Sequence, residues 1–188
     1  MTTPIVTLAD YKTYATISST TQDAQITKLI PQITEYIKSY CGRSFVDFYS
    51  TDKIEVFNGG YEYFPKEFPV VSVTKLEVSY DNGETYSDLT PYTDWVLNIE
   101  DDSIVSPYDG VPFKRYINGY RITYKGGFED YPTDLKLSAM DLITYYMKAD
   151  MAVKSTRSAG SNTTQIEYVM NAGLPSHIRR IFDLYKAS

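Results

Sequence analysis

Nucleophilic chemistry needs a nucleophile with a base in hydrogen-bond reach, and this chain has one histidine and one cysteine to offer. His177 lies two residues past Pro175 with no nucleophile-elbow pattern around it, and reads as a solvated or interface histidine. Cys41 falls on an apolar stripe of helical period and reads as a small core residue. A lone cysteine excludes an intramolecular disulfide and favours a reducing compartment. One Cys and one His cannot complete a tetrahedral zinc site. The paired carboxylates Asp101-Asp102 and Glu129-Asp130 lie beside strand ends or glycines, where acids solvate turns. Asp101-Asp102 lacks the alternating acids and terminal Glu of a calcium loop. Gly126-Gly127 is followed by neither Lys-Ser/Thr nor an immediate helix, so it is no phosphate loop. The expectation is no catalytic residue, no cofactor, no metal ligand and no enzyme.

Composition narrows the remaining classes. The chain has 188 residues, 18 basic and 24 acidic side chains, and a net charge of −6. That length suits one domain, or a domain with an extended arm. A hydrophobic share of 43% is enough to build a core. No apolar run reaches the roughly 18 residues of a membrane span, and Met1–Ile5 lacks the pattern of a signal peptide. Net acidity argues against a protein that grips nucleic acid over its whole surface. The unusual number is 19 tyrosines. Tyrosine packs in strands, enriches protein interfaces and stacks on sugars, so a carbohydrate-binding module stays open beside an assembly protein.

The elements that must carry these side chains follow from periodicity. Thr7 with Asp10 has the capping-box form and predicts a first helix over 7–17. Thr20 with Asp23 repeats the signal before Ile26, Leu29, Ile30, Ile33, Ile37, Tyr40 and Cys41, an apolar stripe predicting a helix over 21–41. Pro31 inside it predicts a kink, and Gly42 a stop. Period-2 segments follow: Ile54 and Val56; Val71 to Tyr80 with Lys75, Glu77 and Ser79 opposite; Trp95, Leu97 and Ile99; Tyr120, Ile122 and Tyr124. Asn82-Gly83 predicts a tight hairpin turn, and Glu100–Gly119 reads as irregular. Leu135, Ala139, Leu142, Ile143, Tyr146 and Met147 predict a helix over 132–150. Residues 154–173 read as a long loop or arm, and Leu174–Tyr185 as a short amphipathic helix.

The expected fold is α+β: a helical bundle of two to three long helices with an inserted small antiparallel β-sheet over 53–125. A core over 1–151 would be followed by a flexible arm and short helix over 152–188. Ile26, Leu29, Ile33 and Ile37 should face Leu135, Leu142, Ile143 and Met147.

The order of these parts resembles the tailed-phage head–tail connector family. Glu35-Tyr36-Ile37-Lys38-Ser39-Tyr40-Cys41-Gly42-Arg43-Ser44-Phe45 is similar to that family's long helix and its Gly-Arg-x-Phe turn. Phe68-Pro69-Val70-Val71-Ser72-Val73 resembles its Pro-Val entry to a strand. Tyr120–Phe128, then Pro132-Thr133-Asp134-Leu135-Lys136, resembles its strand, Gly-aromatic turn and Pro-initiated helix, and Leu174-Pro175 precedes a final helix. The likeness spans roughly residues 6–186, with a larger middle section and Pro31 as departures.

The resemblance implies a structural head completion adaptor at the head–tail junction of a virion assembled in the host cytoplasm. It implies a ring, commonly twelve-fold, of subunits that can be monomeric in isolation. Its partners would be the portal protein and a tail or stopper protein, with DNA passing through the channel without specific binding and no membrane involved. The net acidity suits such a channel, because phosphate and carboxylate repel. Two other readings remain: a carbohydrate-binding or other tail-associated module using exposed Tyr and Trp95, and a small hydrolase using Asp and Glu alone. Trp95 separates the first from the connector, since a sugar site needs it exposed. The candidate interaction residues are Ile166, Tyr168, Val169 and Met170 in the arm, with Ile178, Arg179, Arg180, Phe182 and Tyr185 in the last helix.

Overall fold

The computed structural model describes residues 3–108, 111–148, 153–157, 164–168 and 174–187. They form two units, one built on Gly42–Tyr131 and one on Thr2–Cys41 with Pro132–Tyr185.

The first unit is made of strands. β1 (Lys53–Phe57), β3 (Val70–Val78), β4 (Ser87–Leu89) and β7 (Tyr120–Gly126) form an antiparallel sheet in the order β1-β7-β3-β4. β2 (Glu62–Tyr63), β5 (Val96–Asn98) and β6 (Ser103–Val105) form a second, in the order β2-β6-β5. Directly opposed residues share a sheet face, so the register puts Phe57, Tyr120 and Val78 together, beside Ile122 and Leu76. These side chains, with Tyr124, Trp95, Ile104 and Phe113, make one continuous core. Phe57 stacks on Tyr63 at 3.9 Å and on Tyr120 at 5.2 Å between ring centroids.

The second unit holds α1 (Leu8–Tyr14), α2 (Asp23–Cys41), α3 (Thr133–Lys148) and α4 (Ser176–Leu184), with a two-stranded antiparallel hairpin of β8 (Val153–Arg157) and β9 (Thr164–Tyr168). α1 starts on the expected capping box: the Asp10 amide donates to the Thr7 hydroxyl and the Thr7 amide to the Asp10 carboxylate. α2 packs on α3, and α4 packs on both. The buried stripe of α2 is Ile26, Ile30, Ile33, Ile37 and Cys41, with Leu29 only half-buried. α3 buries Leu135, Ala139, Leu142 and Ile143, and α4 buries Ile178 and Phe182.

The expected architecture needs correction. The α+β class holds, but the bundle of long helices does not. Among the described residues there are four short helices, and seven strands in two antiparallel sheets besides the β8–β9 hairpin. The strand content was underestimated because β2, β4, β5 and β6 have two or three residues each, too few to show a period of two. β6 lies inside the stretch expected to be irregular, and β8 and β9 inside the expected loop. Asn82 and Gly83 do take positive φ, 62° and 95°, but at the tip of a longer connection over residues 79–86. Tyr80, expected on the apolar side of β3, lies beyond the strand's end and is exposed, its ring edge-on to Tyr116.

Candidate functional site

The side chains singled out for possible chemistry sit in different settings. Cys41 is fully buried, and its thiol contacts the Phe182 carbonyl at 3.5 Å. The His177 imidazole is exposed, with Nε2 3.8 Å from an Asp141 carboxylate oxygen. Asp101 accepts from the Asn98 amide at 2.8 Å and Asp102 from the Val70 backbone N–H at 2.8 Å, so both carboxylates organise loops. Among the described residues no three His, Cys, Asp or Glu side chains gather as a metal site.

The densest polar cluster is buried in the strand unit, around the Gly-Arg-x-Phe turn. Glu67 is wholly buried, and its carboxylate accepts from the Ser44 and Phe45 amides at 2.8 and 3.1 Å and from Lys53 Nζ at 2.9 Å. Arg43 Nε lies 3.8 Å from the same carboxylate. The Arg43 guanidinium donates to the Phe68 carbonyl and lies 3.6 Å from the Phe68 ring centroid, a cation–π contact in a dry site. The Tyr124 hydroxyl accepts from the Glu67 amide and donates to Glu55, both at 2.9 Å, and Tyr63 donates to Glu55 at 2.6 Å. Burial pushes the Glu55 pKa up, but the hydrogen bonds from Tyr63 and Lys53 outweigh it and hold the carboxyl below its usual value. Burial, with the neighbouring carboxylates, drives both tyrosine hydroxyls well above the usual phenol range. The cluster is a structural staple, joining the turn at 43–45 to the segment before β3 and to β1 and β7. Gly127 belongs to it: at φ +100° it packs so closely that a Cβ would fall on the Phe45 carbonyl oxygen.

Periodicity missed this cluster, because its members are single residues on different elements. The only trace was the quoted Gly-Arg-x-Phe and Phe-Pro-Val strings, which bracket Arg43 and follow Glu67 directly.

A second cluster joins β3 to β7 through Glu77 and Arg121. Arg121 grips Glu77 with two hydrogen bonds of 2.7 Å, and Lys75 adds one of 2.9 Å. The hydrogen bonds from Arg121 lower the Glu77 pKa from 4.5 to about 2, against the opposing effect of burial. A depressed folded-state pKa gives stability that is complete above the unfolded value and lost as pH falls through the folded one. We expect the stability gap between parent and Glu77→Gln to shrink as pH falls from 4.5 to about 2. Denaturant melts across that range check this; a gap that stays constant refutes it.

The tyrosines divide by role. In the helical unit their hydroxyls clip one helix to another: Tyr11 to Thr144 at 3.2 Å, Tyr14 to Asp141 at 2.6 Å, Tyr40 to Asp183 at 2.7 Å, and Tyr185 to Asp134 at 2.8 Å. In the strand unit Tyr120, Tyr124 and Tyr131 are core, whereas Tyr61, Tyr92 and Tyr108 are exposed. Trp95 is 5% exposed and its indole N–H donates to the Leu89 carbonyl at 3.3 Å, so it is not a bare sugar platform.

The expected interaction residues scatter. Ile178 and Phe182 are core residues of the helical unit, which removes them from any free surface. Tyr185 is half-buried and clipped to Asp134, while Arg179 and Arg180 are exposed on α4. Ile166 and Tyr168 fall on β9, and Val169 and Met170 lie outside the described residues.

The head completion protein family model matches residues 4–188. The chain belongs to that family. It is 26% identical over 183 residues to the head completion protein of Escherichia phage T5, an alignment covering 97% of this chain and 98% of that one. Its fold is similar to a chain from the neck of an empty gene transfer agent particle computed with C6 symmetry, with a TM-score of 0.57 and 14% identity, covering 98% of this chain and 90% of that one. It is also similar to a chain from the neck of the native particle computed with C12 symmetry, with a TM-score of 0.53 and 16% identity over 100% and 96% of the two chains.

Proposed function

We propose that this chain is a non-catalytic head–tail connector subunit that closes as a ring beneath the portal, extends the DNA channel and docks the tail or a stopper protein. The family match over residues 4–188 carries the reading. The buried cluster at Glu67 supports it, since its hydrogen bonds tie the turn at 43–45 to β1 and β7. A carbohydrate-binding role loses its main support with Trp95 in the core. The neck relatives described with six- and twelve-fold symmetry suit a ring of heterologous contacts, in which one face of each subunit meets a different face of the next.

Within this reading, the segment over 152–173 is the working contact with a neighbour. Its described part is a two-stranded hairpin, and such a hairpin is marginally stable by itself in water. Contact with an adjacent subunit, the portal or the next tail component would stabilise it. Replacing Ser155–Ala172 by a short Gly-Ser linker is expected to leave the protein folded and to abolish joining of filled heads to tails. Thermal melting and the yield of tailed particles measure the two effects. Normal joining by the shortened protein would reduce the segment to a tether.

A further inference from the structure

Charge is distributed unevenly along this chain. From Leu76 to Phe113 the sequence holds nine Asp or Glu and no Lys or Arg, leaving 15 acidic and 18 basic side chains elsewhere. An open groove of about 380 Å³ is lined mostly from that acidic stretch, by Tyr92, Trp95, Leu97 and Ile99 among others, with Val73 from before it. Tyr92 is 84% exposed and Ile99 81% exposed, so two large apolar side chains stand in water side by side. Tyr92 holds a positive φ of 62°, uncommon for a bulky residue, and the loop is secured by the Tyr92 amide on the Trp95 carbonyl and the Thr90 amide on Asp94, both at 2.8 Å. Strain kept in place by a purpose-made loop, with an exposed ring as its result, marks a contact surface. Asp94 and Glu100, both exposed, are the chain neighbours of the lining residues Trp95 and Ile99.

The opposite chemistry is found on α4. Its outward face carries exposed Arg179 and Arg180 beside Leu184, which is 69% exposed, and a shallow hollow runs between them. One surface is apolar with exposed acids beside it; the other sets an apolar side chain among two arginines, with Asp183 at the same hollow held by the Tyr40 hydroxyl at 2.7 Å.

We infer that this groove of one subunit receives the α4 face of the next copy, with Leu184 against Tyr92 and Ile99 and the two arginines against the exposed acids beside it. This rests on the ring reading above, because a heterologous ring requires each chain to own both halves of its contact. The split of a net −6 chain into a strongly acidic segment and a mildly basic remainder supplies both halves.

Two sets of variants, assembled into necks in infected cells, test it. Arg179→Glu with Arg180→Glu, and Glu100→Lys, should each lower incorporation at least about tenfold, since like charges then face each other. Combining all three should restore incorporation to within about twofold of the parent. Separately, Ile99→Cys with Leu184→Cys should give a ladder of disulfide-linked copies from oxidised necks, while either single change gives none; buried Cys41 stays silent. Combined reversals no better than the worse of the two, with no ladder, overturn the inference. Necks with the parent copy number that fail to take tails reassign the groove to another virion protein, which also overturns it. Failure of the ring reading itself is separate: electron microscopy of parent necks would then show no ring of this chain.

Discussion

Glu67→Ala is expected to lower the unfolding free energy by about 3–5 kcal/mol, the range for removing one partner from a buried ion pair. Glu67 has no exposed side-chain surface, and Arg43 across from it is equally enclosed. The substitution removes the carboxylate facing the enclosed Arg43 guanidinium and leaves the Ser44 and Phe45 amides without that acceptor. Lys53 keeps Glu55 at 2.9 Å, which moderates the loss without cancelling it. Glu67→Gln preserves an acceptor oxygen but not the charge, so it should fall between parent and alanine. Urea unfolding with an unchanged slope would report the stability difference cleanly. A loss below about 1 kcal/mol for the alanine variant would show that the cluster is screened by water, contrary to its burial.

The second large effect is expected in the helical unit. Leu142→Ala should cost about 2–5 kcal/mol, combining lost transfer free energy with the cavity left behind. Leu142 is fully buried on α3, in a unit where α2 and α4 both pack against that helix. Leu137 is the internal control: on the same helix but 43% exposed, its replacement by alanine should change stability by less than about 0.5 kcal/mol. Equal effects at the two positions would contradict the packing described.

How far the sequence disclosed this molecule depended on the range of the interactions. Local signals were legible: the Thr7–Asp10 box, the apolar stripes of α2 and α3, and the positive φ angles at Asn82-Gly83 are written within a few residues of one another. Even there α2 buries Ile30 more fully than Leu29, because a stripe of helical period names a face and not the side chain that a neighbour will cover. The short strands were illegible for want of length. The Glu67 staple was illegible because its partners, Arg43, Lys53 and Tyr124, are brought together by the tertiary fold alone. The candidate contact residues of α4 show the same limit: an amphipathic helix offers one apolar side, and the sequence left open whether Ile178 and Phe182 would seat in the subunit's own core, where they lie, or against a neighbour.

The helical unit is assembled from two stretches of chain that lie on either side of the strand unit. On the ribosome, α1 and α2 emerge first, and the partners of Ile26, Ile30, Ile33 and Ile37 on α3 follow only after about 90 more residues. At ordinary elongation rates that is a wait of about 5–20 seconds with an apolar helix face unprotected. The strand unit is contiguous and can close during that interval, shortening the span that separates α2 from α3 before they meet. Synthesis order therefore favours a sequence in which the inserted sheet folds first and the helices, although the earliest part made, are completed last.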